Sequence, residues 1–203
     1  MKPPRLTRVA AALTIWAAMA RAAEAHLVAT GMGPIYDGVS HFALSPEEIL
    51  PVVAFALFAG LRGPDHARRT AVALAAGWFV GGLGGALGLS LPAAVPQVAS
   101  AVFLFAAGGA LAANAKVPPW ACAVVAAVYG ALAGASDFGN GSGGLVALLN
   151  LVGVCAAVAA GFVLVASLTL PLRRDWLVMA ARVAGSWLLA LGVLLAGWIV
   201  RQV

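Results

Sequence analysis

Residues 144–170 read GLVALLNLVGVCAAVAAGFVLVASLTL, without one charged side chain. A helix of roughly 20 residues crosses the hydrocarbon of a bilayer, and this stretch exceeds that length. Strict apolar–polar alternation is absent, so a membrane strand is not indicated and a transmembrane helix is predicted. Its most polar side chain is Asn150. An amide at that depth bonds a neighbouring helix or serves function.

Five further apolar stretches are predicted as spans, near 46–62, 70–90, 95–115, 118–136 and 175–200. The first is the shortest. The composition agrees with them: 63% of the 203 residues are apolar and 9% are Asp, Glu, Lys or Arg. A soluble domain carries about 25% charged residues, so this chain lacks the polar surface to face water all round. Lipid is the expected covering. The net charge of +5 is not a nucleic-acid signature, because the basic residues lie in short loops and the N-terminal segment. Cys122 and Cys155 fall inside apolar spans and read as small core residues, not a disulfide framework.

The N-terminus has the form of a signal peptide. Lys2, Arg5 and Arg8 precede an apolar run from Val9 to Ala20, and small residues follow at Ala22, Ala23 and Ala25. Cleavage is expected before His26 or after Ala22, with an uncleaved anchor as the alternative. The expected organisation is a signal peptide (1–25), an outer, periplasmic segment (26–45) and a six-helix transmembrane domain (46–203). The fold class is all-α, a polytopic membrane protein.

Charge sets the orientation. With the mature N-terminus outside, Arg62, Arg68, Arg69, Lys116, Arg173, Arg174 and Arg182 fall at the cytoplasmic face, and only Arg201 lies outside, as the positive-inside rule requires. Asp37, Glu47, Glu48 and Asp137 fall outside. Asp65 and Asp175 fall inside among arginines, where local charge pairing is expected. His66 reads as a solvated residue of a cytoplasmic loop, with release-side ligation as the sharper alternative.

Ser45-Pro46-Glu47-Glu48 reads as a capping box opening the first span, with Leu44 and Ile49 as its hydrophobic staple. Pro51, one turn in, cannot donate to the Glu47 carbonyl, which leaves that carbonyl free or bends the helix; a freed carbonyl could meet a cation. In the second span Gly77, Gly81 and Gly85 recur every four residues, a surface that lets helices approach closely in lipid.

Chemistry gathers between His26 and Glu48. Asp37 and His41 are four apart, so a helical turn after Pro34 would place them on one face. Imidazole nitrogen with carboxylate oxygen suits Ni(II), Co(II), Cu(II) or Zn(II). The candidate metal ligands are His41, Asp37, Glu47, Glu48, His26 and Asp137, with Asn150 as a further polar group along a path. If cleavage exposes His26, its amine and imidazole could chelate together.

The stretches HLVATGMGPIYDGVSHF (26–42), LSPEEILP (44–51) and AGLRGP (59–64) resemble the HupE/UreJ family. The resemblance implies a small membrane protein with a signal peptide and about six spans, associated with nickel supply to hydrogenases and ureases and of metal-permease type. That family's motif is a His, five residues, then Asp-His. Here His41 is followed by five residues and Glu47-Glu48, so an acid stands for an acid and Glu48 for a histidine. The family's His-Gly-rich fourth span corresponds to YGALAG (129–134), which has no histidine; Asp137 and Asn140 follow it and offer oxygen instead. A site richer in oxygen is less selective for the late transition metals.

The expected function is a permease for a divalent transition metal, nickel foremost, in a bacterial inner membrane. The alternative is a non-transporting accessory protein for metalloenzyme maturation, with maturation proteins as partners. No permanently bound cofactor and no enzymatic activity are expected. The glycine runs lack a Gly-Lys-Ser/Thr ending, and no histidine lies clearly inside a span to serve as a haem ligand.

Overall fold

The computed structural model describes residues 30–89, 91–92, 94–138, 144–169 and 175–202. The expected signal peptide, His26, Asn140, Arg173 and Arg174 lie outside these residues. Seven helices are present and no strand occurs among the described residues: α1 (Pro34–Leu44), α2 (Pro46–Arg62), α3 (Pro64–Ala86), α4 (Ala94–Ala112), α5 (Pro119–Phe138), α6 (Leu145–Thr169) and α7 (Asp175–Gln202).

Four of them contain a segment long and apolar enough to cross a membrane: 94–112, 119–138, 145–169 and 178–201. The helix expected at 46–62 is present as α2, but neither N-terminal stretch qualifies as a span by itself. The first span is not one straight helix: α1 and α2 qualify only as a pair, bent by 77° at Ser45. The second, α3, does not qualify by composition, because five glycines and the charges Asp65, Arg68 and Arg69 dilute its apolar content. It also starts earlier than expected. Gly63, at φ 111°, joins α2 to α3 as a single residue, and Pro64 opens the new helix. Asp65 and His66 therefore lie on the first turn of α3, not in a loop.

Ser45 corrects the capping box. It stands at the N-cap of α2, but its hydroxyl makes no cap bond there. It donates instead to the His41 carbonyl at 2.8 Å. Two helices abut at this residue, and the end of α1 presents a carbonyl that its own helix leaves unsatisfied. Glu48 is thereby left free to turn elsewhere. The Glu47 carbonyl, released by Pro51, faces the Tyr129 hydroxyl at 3.5 Å.

The helices associate through small residues. A Cβ on Gly77 or Gly81 would strike the carbonyls of Ala127 and Ala131, and one on Gly130 or Gly134 would strike those of Leu74 and Trp78. α3 and α5 thus run parallel in reciprocal backbone contact, the most extensive helix pair in the molecule. In lipid, where apolar burial between helices gains little, such contact is the main source of association. Gly108, Gly185 and Gly192 seat α4 against α7 in the same way. α1 lies across α6, with Gly38 on Asn150 and Gly153 on the Ile35 backbone. Asn150 is buried against a neighbouring helix.

The interior is filled by Trp78, Tyr129, Phe162, Leu74, Leu104 and Leu151. The perimeter carries exposed apolar side chains, among them Val72, Phe105, Leu164, Trp187 and Leu194. A surface of that kind suits hydrocarbon, not water.

Apart from Arg201, in the last turn of α7, the described arginines gather at one end. Arg62 donates to Asn114 Oδ1 at 2.9 Å, a His66 ring nitrogen lies 3.0 Å from the Val117 carbonyl, and Arg182 donates to the Ala112 carbonyl at 2.9 Å. Asp65 pairs with Arg69 at 3.0 Å and Arg68 at 3.4 Å. His66 thus ties α3 to the α4–α5 connection and is not a solvated loop residue.

Candidate metal centre

At the opposite end three helices bring one side chain each to a common point. α1 supplies His41 from its last turn, α2 supplies Glu48 from its first turn, and α5 supplies Asp137 from its last turn. His41 Nε2 lies 3.6 Å from Glu48 Oε1 and 3.7 Å from Asp137 Oδ1. One ligand atom from each residue falls within 4.8 Å of the other two.

These separations are too long for hydrogen bonds. Nε2 of His41 and Oε2 of Glu48 are buried and have no hydrogen-bond partner among the described residues. A divalent ion bound tetrahedrally at about 2.0–2.2 Å holds its ligand atoms roughly 3.3–3.6 Å apart, so the His41 distances of 3.6 and 3.7 Å need only a slight contraction. Two carboxylates this close repel each other, and a cation between them removes that cost. The residues fit a divalent metal ion.

Asp137 occupies a costly position. A carboxylate in the last turn of a helix faces the negative end of the helix dipole, a penalty of about 0.3–1 kcal/mol at an exposed end. Trp78 offsets it: Nε1 donates to Asp137 Oδ2 at 2.9 Å and leaves Oδ1 on the His41 side. Trp78 is fully buried and stands edge-on to both Phe42 and Tyr129, so its direction is fixed. Sequence reasoning passed over this tryptophan; the available signal was an indole N–H inside an apolar span, a donor that needs a partner at depth.

The other candidates lie apart. Asp37 is on α1 four residues from His41, as expected, but the chelating pair does not form. Its Oδ1 accepts from the Thr30 backbone nitrogen at 2.6 Å and the Thr30 hydroxyl at 2.7 Å, tying down the segment before the helix. Glu47 is exposed and outside the group, because the neighbouring position on α2 faces in. His26 is outside the described residues.

A cavity of about 110 Å³ adjoins the group. Glu48 and Asp137 line it, together with Glu47, Gln97, Ser100 and Tyr129. Tyr129 also interlocks with Phe55, Phe103 and Trp78, the rings of this group packing at centroid distances of 5.1–6.1 Å.

No curated protein and no solved structure matches this chain. The family model described as HupE / UreJ protein matches residues 12–195. With its apolar helices and a His–Glu–Asp group built from three of them, the chain belongs to the HupE/UreJ family.

Proposed function

We propose that the protein is a membrane permease for a divalent transition-metal ion, nickel foremost. The ion is captured on the outer face by His41, Glu48 and Asp137. The observation that carries this is the convergence of the three side chains with buried, unpartnered atoms on His41 and Glu48. Six crossings complete the scheme: the four apolar helices, the bent α1–α2 pair, and α3. Glycine contacts along α5 support a crossing for α3, whose 23 residues span about 34 Å. The basic end faces the cytoplasm of a bacterial inner membrane and the signal peptide places the mature N-terminus in the periplasm. One nitrogen and two carboxylates make a site that admits Ni(II), Co(II) and Zn(II) with modest discrimination.

Uptake by proteoliposomes holding the purified protein tests this. Ni(II) entering the vesicles, with uptake lost in His41→Ala, is the expected result. Binding without uptake would instead assign the protein to the second class, a non-transporting accessory protein for hydrogenase or urease maturation. The close packing of Phe55, Phe103, Tyr129 and Trp78 inside the bundle favours that second class, since these rings must part for an ion to pass between them.

A further inference from the structure

The cavity beside the metal group has a graded lining. Glu47 and Gln97 are exposed, Glu48 and Asp137 form its wall, and Ser100 and Tyr129 are buried. Its volume of about 110 Å³ corresponds to a few water molecules at roughly 30 Å³ each. Polar groups from α2, α4 and α5 surround it. Glu48 is 9% exposed, and one of its carboxylate oxygens has no protein partner. Glu48 and Asp137 belong both to this cavity and to the group with His41, whereas His41 itself does not line it.

We propose that this cavity is a second station for the same cation, a hydrated vestibule from which a divalent metal ion is handed to His41. This rests on His41, Glu48 and Asp137 binding a metal. In the vestibule the ion keeps its water, held by the carboxylates of Glu48 and Asp137 and by water bridges to the Gln97 amide and the Ser100 hydroxyl. Moving toward His41, it exchanges water for imidazole nitrogen without leaving the two carboxylates. The shared wall removes the need for a fully dehydrated intermediate, which for a divalent ion is prohibitive in a low-dielectric interior. The polar rim at Gln97 and Glu47 is where an approaching cation is first attracted.

The test separates loading rate from affinity. Full-length protein in detergent is mixed with Ni(II), and binding is followed by competition with a metal-indicator dye. Gln97→Lys puts a positive charge on the exposed rim, outside the group of His41, Glu48 and Asp137. The association rate is expected to fall about tenfold at low ionic strength, with the deficit shrinking as salt screens the charge. Ser100→Leu fills the buried end and is expected to slow loading at least tenfold. Unchanged association rates in Gln97→Lys would overturn the vestibule even if Ser100→Leu failed to fold. Wild-type protein that does not bind Ni(II) would overturn the metal site itself. Normal rates in both variants, with binding lost in His41→Ala, would leave the metal site standing and remove the vestibule alone.

Discussion

Trp78 on α3 and Asp137 on α5 are joined by a 2.9 Å hydrogen bond from the indole Nε1 to Oδ2. The bond sits at the end of the glycine-lined contact between the two helices, where the Trp78 backbone touches Gly134. Close backbone packing and the metal group are therefore one construction. The glycines bring α5 near enough for the indole to reach the carboxylate, and the indole turns the carboxylate so that its other oxygen meets His41.

Trp78→Phe should keep the aromatic packing with Phe42 and Tyr129 but free Asp137 to rotate. Loss of a group that orients a metal ligand costs about 10–100-fold in affinity. Isothermal titration with Ni(II) should show that loss; the cavity left by the smaller ring also lowers the unfolding temperature, so the titration is run where circular dichroism shows the variant folded. Wild-type affinity would mean that Asp137 is held by other means.

Adjacent acids should behave differently. Glu48→Gln removes a carboxylate of the group and should weaken Ni(II) binding at least tenfold, whereas Glu47→Gln should change equilibrium affinity by less than about threefold. Equilibrium dialysis of the two variants distinguishes them. Equal losses would place the ion between the two glutamates and not beside His41.

Gly81→Ala should destabilise the fold. The added methyl meets the Ala131 carbonyl, backbone that cannot rotate away, and overpacking of this kind costs about 1–3 kcal/mol. Thermal unfolding in detergent should register the drop. Gly84→Ala is the control, since a Cβ there meets only the Leu89 side chain at ordinary contact distance.

Much of the helix pattern was legible in the sequence. The charge-free run at 144–170 appears as α6, Leu145–Thr169, nearly to the residue, because length and apolarity act locally. The N-terminal elements were harder. Ser45-Pro46 looks like the start of one isolated helix, and the capping-box pattern cannot reveal that another helix ends at the same serine. Competition for the Ser45 hydroxyl is settled by the His41 carbonyl. Likewise Gly63-Pro64 marks a break, but the sequence does not say that one residue suffices to reverse the chain.

By itself, the sequence determined that the chain is helical and apolar, that most of its arginines fall on one side of the spans, and that His41 has acids near it in the chain. These are properties of composition and local periodicity. The tertiary structure alone decided which acids join His41. Neighbouring residues on a helix point about 100° apart, so the bend at Ser45 and the rotation of α2 select Glu48 over Glu47. Asp37 is claimed by Thr30, a contact its helical spacing from His41 does not disclose. Asp137 arrives from a distant helix through the glycine contacts of α3 with α5 and is aimed by Trp78, because packing, not spacing along the chain, sets the distance between side chains on different helices.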